Sequence, residues 1–148
     1  MVARKILVLD DDAEVATLFG LALRQAGHNV TVCTRFEEAR EHLAQRNPDS
    51  LLTDIRIGQY NGIQLVHLFR GRSPHGTVVI VTAFDDSVLE KEARQLKAEY
   101  FVKPVSLAKL TNAFGQLSRP PLYNRDALEP VMVADDGKTA SRPRLRAR

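Results

Sequence analysis

The chain has 148 residues, room for one domain with a full core and too few for two ordinary ones. Hydrophobic residues make up 44% and charged residues 26%, the balance of a globular protein rather than of a disordered or membrane-embedded one. Residues 1–118 hold 14 of the 21 basic and 14 of the 18 acidic side chains, so the net charge of +3 lies wholly in residues 119–148, and no basic face on the body points to nucleic acid.

Arg4-Lys5 opens into Ile6-Leu7-Val8-Leu9, which stops at Asp10-Asp11-Asp12. Four apolar residues are too few for a secretory signal, and nothing later approaches the length of a membrane span, so a cytoplasmic protein is expected. A run so apolar and short reads as a strand buried on both faces, as in a parallel sheet. Val15, Leu18, Phe19, Ala22 and Ala26 then recur at helical spacing, and Gly27 stands where a helix would end. Asn29 to Cys33 forms a second strand. Cys33 is the chain's one cysteine, so it has no internal disulfide partner, which suits a reducing compartment; its place in a strand marks it as a buried residue rather than a nucleophile.

Phe36, Ala39, Leu43 and Ala44 mark a second helix, closed by Asn47-Pro48, and Ser50-Leu51-Leu52-Thr53 is a short third strand that delivers Asp54. A loop through Gly58 and Asn61-Gly62 leads to a third helix carrying Ile63, Val66 and Phe69. His75-Gly76 turns into the strand Thr77-Val78-Val79-Ile80-Val81, which ends at Thr82. Asp85-Asp86-Ser87 caps a fourth helix with Val88, Leu89, Ala93 and Leu96. Tyr100-Phe101-Val102 is a brief fifth strand reaching Lys103-Pro104, and Ser106 caps a fifth helix with Leu107, Leu110, Ala113, Phe114 and Leu117. Five strands alternating with five helices over short links predict an α/β domain over 1–118, a sheet wrapped by helices on both faces. From Ser118 the periodicity stops. Arg119-Pro120-Pro121 breaks any helix, and 119–148 reads as a basic, largely disordered tail, with a short strand at Pro130-Val131-Met132-Val133 as the exception.

Parallel sheets gather their ligands at the carboxyl ends of their strands. There the sequence presents Asp10-Asp11, Asp54, Thr82 and Lys103, so every strand end except the second carries a chemically useful group. Taken singly, such residues are ordinary caps, turn formers and solvated charges; taken together they suit phosphoryl transfer. Adjacent carboxylates repel one another unless a cation fills the space between them, and a hard divalent ion is the natural one. Asp54 would act as nucleophile to form an acyl phosphate, Lys103 would pair with a phosphate oxygen, and the Thr82 hydroxyl would donate to another.

At Val8-Leu9-Asp10-Asp11-Asp12, Leu52-Thr53-Asp54-Ile55-Arg56, Asn61-Gly62, Val81-Thr82-Ala83 and Tyr100-Phe101-Val102-Lys103-Pro104 the chain resembles the receiver domain of bacterial two-component response regulators. The resemblance spans roughly residues 4–118. It implies a flavodoxin-like, doubly wound parallel sheet of order 2-1-3-4-5, with Asp54 as phosphate acceptor. It also implies a magnesium or manganese site formed by Asp10, Asp11, Asp54 and the backbone carbonyl of Arg56, with Thr82 and Lys103 sensing the phosphate. Tyr100 is the implied aromatic switch, turning inward as Thr82 moves toward the phosphate. The implied partners are a sensor histidine kinase or a histidine phosphotransferase, and a downstream protein bound through the fourth helix, fifth strand and fifth helix, a surface that also serves a homodimer. With thirty residues after the domain, no DNA-binding domain is expected, and the chain reads as a stand-alone signalling protein or phosphorelay shuttle whose only chemistry is phosphotransfer onto and off itself. Two departures stand out: Ile57-Gly58 where many relatives carry Met-Pro, and Lys97 where many have glycine.

Two other readings compete. Asp10-Asp11-Asp12 also fits the opening Asp-x-Asp of magnesium-dependent phosphatases of the haloacid-dehalogenase type, with Asp10 as nucleophile, Asp12 as acid/base and Val131-Met132-Val133-Ala134-Asp135-Asp136 as a final acidic motif. Against it, Ala13-Glu14 follows where Gly-Thr is expected, and Asp54 is left without a task. The four arginines of 139–148 also fit a tail that binds nucleic acid or an acidic partner, although such charge runs are usually solvated ends.

Overall fold

A computed structural model of the chain describes residues 2–115. The strands are β1 (Lys5–Leu9), β2 (Asn29–Cys33), β3 (Ser50–Thr53), β4 (Thr77–Thr82) and β5 (Glu99–Val102), alternating with helices α1 (Ala13–Gln25), α2 (Phe36–Arg46), α3 (Gly62–Arg72), α4 (Ser87–Gln95) and α5 (Leu107–Phe114). The strands form one parallel sheet in the order β2-β1-β3-β4-β5, the doubly wound arrangement expected. The strand at 130–133, the phosphatase-like motif at 131–136, Leu117 and the basic segment 119–148 lie outside the described residues. Among the described residues no helix is long and apolar enough to cross a membrane.

The apolar runs form strands because both faces of the sheet are covered. Leu7, Leu9, Leu51, Val78 and Ile80 join Phe36, Leu43, Val66, Phe69 and Ala93 in one core under α2, α3 and α4. Ile6, Val8, Leu52, Val79 and Val81 point the other way, to Phe19, Leu23, Leu110 and Phe114 of α1 and α5. The two-residue alternation of a strand thus divides one hydrophobic run between two cores. Asp12, Asn61, Asp86 and Ser106 cap α1, α3, α4 and α5 through side-chain oxygens that accept backbone N–H groups, and Asn61 with Gln64 makes a full capping box.

The helical faces are narrower than the sequence implies. Leu18 is 48% exposed and Val88 73% exposed, so the register at those two positions does not bury the side chain. The loop after Asp54 contains a ribbon of two two-residue strands, Arg56–Ile57 antiparallel to Tyr60–Asn61, too short to leave a signal in the sequence. Lys97 is left-handed, with φ 60°, at a site where glycine is cheaper by about 1 kcal/mol. Arg70 steadies this turn. Its guanidinium donates to the carbonyls of Leu96 and Lys97 and, at the foot of α3, to those of Ser73, Pro74 and Gly76. Burial lowers the Arg70 pKa from its usual value.

Candidate functional site

Strand register sets the site. Leu9 lies opposite Thr53 and Thr53 opposite Ile80, so the residues that follow these strands emerge on one rim. Asp10 is 2% exposed. Its Oδ1 accepts the Asp12 N–H at 2.9 Å and its Oδ2 accepts Lys103 Nζ at 2.9 Å. The same Nζ donates to Asp54 Oδ2 at 3.0 Å, while Asp54 Oδ1 accepts the Ile55 N–H at 2.6 Å. Lys103 therefore bridges two carboxylates that are 93 and 49 residues away in sequence. Asp11 stands on the open side, where its Oδ2 accepts the Gly58 N–H at 3.3 Å.

The electrostatics follow from this enclosure. Burial raises the Asp10 pKa above the usual carboxylate value, and the Lys103 and Asp12 hydrogen bonds only partly offset it. Burial opposes the Lys103 charge, yet its hydrogen bonds to Asp10 and Asp54 outweigh this and raise its pKa. Asp10, Asp11 and Asp54 can each offer an oxygen such that all three lie within 4.8 Å of one another. Three carboxylates facing one ammonium leave an excess of negative charge, and an all-oxygen set of this kind suits a hard divalent cation. Asp12 is absent from this cluster. Its carboxylate is committed to the Glu14 and Val15 N–H groups at the start of α1.

The loop carrying Asp54 is closely packed from behind. At Gly62 a Cβ would run into the Asp54 carbonyl oxygen and come within 3.0 Å of Thr53 Oγ1, so the Asn61-Gly62 pair both caps α3 and lets it approach Asp54. Thr82 is fully buried at the end of β4, and its Oγ1 accepts the Phe84 N–H at 3.3 Å. Tyr100 is turned inward, 6% exposed, and its hydroxyl donates to the Phe84 carbonyl at 2.7 Å. The inward position thus occurs with the Thr82 hydroxyl still engaged in its own loop. Burial raises the Tyr100 phenol pKa.

Asp10, Asp11, Asp54 and Lys103 are therefore brought together, with Thr82 and Tyr100 joined to each other through Phe84. Two features escaped the sequence. Phe84 is an exposed loop aromatic with no periodicity to mark it. The Arg56 guanidinium lies over the Phe84 ring, 4.0 Å from its centroid, whereas the sequence had singled out only the Arg56 carbonyl.

Residues 6–115 match the family model of the response regulator receiver domain, and the chain belongs to that family. It is 36% identical over 138 residues to the DNA-binding transcriptional regulator NtrC of Escherichia coli, covering 90% of this chain and 28% of that protein. It is 31% identical over 113 residues to the response regulator protein PilR of Pseudomonas aeruginosa, covering 74% of this chain and 25% of that protein. The chain thus spans only 25% to 28% of the length of these two relatives. A receiver domain from Clostridium thermocellum superposes with a TM-score of 0.69 at 26% identity, over 76% of this chain and 90% of that one. A CheY-like receiver domain from Methanospirillum hungatei shares the fold, with a TM-score of 0.71 at 20% identity, over 76% of this chain and 91% of that one.

Proposed function

We propose that this chain receives a phosphoryl group on Asp54 from a phosphohistidine of a sensor kinase or histidine phosphotransferase. The reading is carried by one observation, a single ammonium held between Asp10 and Asp54 beside a third carboxylate on the rim of a receiver fold. In the transfer, an Asp54 carboxylate oxygen attacks phosphorus and forms a P–O bond. The P–N bond to the donor imidazole breaks, and its electron pair returns to the ring nitrogen. Lys103 pairs with a phosphoryl oxygen as its charge develops, and the Thr82 hydroxyl donates to another. Asp10, Asp11, Asp54 and the Arg56 carbonyl would hold magnesium or manganese, which would supply further neutralisation of the phosphoryl oxygens.

The acting unit is residues 1–118, followed by the basic segment 119–148. The phosphoryl group biases an existing equilibrium of Thr82 and Tyr100, and so of the α4-β5-α5 surface, toward a form that binds a downstream protein or a second copy of the chain. The chemistry is confined to phosphotransfer onto and off Asp54, in the cytoplasm. A small phosphodonor with magnesium should label wild type, and peptide mapping should place the acyl phosphate on Asp54. Asp54→Asn should abolish labelling without loss of fold, because it keeps the shape and removes the nucleophile. Label on Asp10 would replace this reading with the phosphatase one.

A further inference from the structure

Phe84 is held by three ties. Its N–H donates to Thr82 Oγ1 at 3.3 Å, its carbonyl accepts from the Tyr100 hydroxyl at 2.7 Å, and its ring lies beneath the Arg56 guanidinium at 4.0 Å. Arg56 stands two residues past Asp54 and Phe84 two residues past Thr82, on the loops that follow the neighbouring strands β3 and β4. Both side chains are exposed, so their contact is a water-accessible attraction between a cation and a ring face, the weaker class of such pairs. It joins the loop that carries the carboxylate to the loop that carries both Thr82 and Phe84.

We propose that the Arg56–Phe84 pair is a charge-operated latch. At rest the guanidinium pins Phe84, and with it the loop between β4 and α4; a phosphoryl group on Asp54 draws the guanidinium off the ring. This rests on the reading of Asp54 as the acceptor. At rest Asp54 is already satisfied by the Ile55 N–H and by Lys103, so it makes little demand on Arg56. An acyl phosphate carries roughly 1.5 to 2 negative charges where the carboxylate carried one, and it sets three strong acceptor oxygens further out from the strand end. These match the planar fork of an arginine far better than a neutral ring does. When the Thr82 hydroxyl turns to the same group it releases the Phe84 N–H. One chemical event therefore cuts two of the three ties and leaves Phe84 held through Tyr100 alone.

The test is NMR of the whole chain with magnesium, using beryllofluoride as the stand-in for the phosphoryl group. Cross-peaks between the Arg56 Cδ protons and the Phe84 ring, assigned by their loss in Arg56→Gln and in Phe84→Leu, are expected with magnesium alone and lost on saturation with beryllofluoride. In Arg56→Gln the Phe84 ring resonances should already sit, with magnesium alone, displaced toward their loaded positions. Cross-peaks that persist while the Thr82 methyl resonance shifts overturn the latch and leave the acceptor role of Asp54 standing, as does their absence at rest. If beryllofluoride moves neither the Thr82 methyl nor the Ile55 amide, both readings fall.

Discussion

Lys103 shows how much one side chain carries in this site. It neutralises Asp10 and Asp54 from a position only 23% exposed, so its removal leaves two enclosed carboxylates facing each other. Lys103→Ala should lose about 1.5–3 kcal/mol of stability in the presence of a chelator, the range for hydrogen bonds to charged groups. Magnesium should then stabilise the variant more than wild type, since the cation takes over part of the lost compensation. Urea denaturation with and without magnesium measures both effects, and equal stability of the two proteins in chelator would remove Lys103 from this role. Cys33 offers a second check at the same scale. Burial, with a smaller contribution from the Glu38 charge, pushes its thiol up to about 11, so at neutral pH it stays protonated and inert. A disulfide reagent should modify native protein far more slowly than urea-unfolded protein, and similar rates would contradict its burial. These residues were readable from sequence because each follows or ends an apolar run. Phe84 was not, since neither propensity nor spacing distinguishes one exposed loop aromatic from another, and its importance comes from partners that only folding supplies.

Among the elements, α4 and its connection to β5 show where local rules are bent. The sequence marked Lys97 as a departure at a position where many relatives have glycine, and it is left-handed. What the sequence could not reveal is the compensation, because the five carbonyls that receive the Arg70 guanidinium lie on two segments separated in the chain. Arg70→Ala should cost about 1.5–3 kcal/mol, with the loss concentrated in this turn. Hydrogen exchange at the Lys97 and Ala98 amides, which donate to the Arg94 and Ala93 carbonyls, should accelerate more than exchange in β1 or β3. Uniform acceleration across the molecule would instead make Arg70 a general stabiliser. The ribbon of Arg56–Ile57 and Tyr60–Asn61 was likewise hidden, since two-residue strands fall below any period, whereas the caps at Asp86 and Ser106 were plain from residue type and position.

For the molecule as a whole, the five parallel strands and the gathering of their ends came through in the sequence because both follow from alternation and from strands buried on two faces, whereas the order of the strands was legible only through the resemblance to receiver domains. A ligand that binds this rim only when folded must stabilise the entire domain. At a magnesium concentration ten times its dissociation constant the gain should be about 1.4 kcal/mol. Asp11→Ala should abolish that gain with little change in metal-free stability, since Asp11 is exposed and makes one long hydrogen bond. Thermal melting across a magnesium series reads both, and an undiminished rise in the variant would move the cation elsewhere. The sheet also has an asymmetry with a mechanical consequence. Its central strands separate two interiors that share no side chain, whereas β5 is a margin, with α4 seated against one interior and α5 against the other. A shift of α4 across this margin need not be transmitted through the middle of the sheet. The domain can therefore change its outline at one side while the remainder serves as an unmoving chassis.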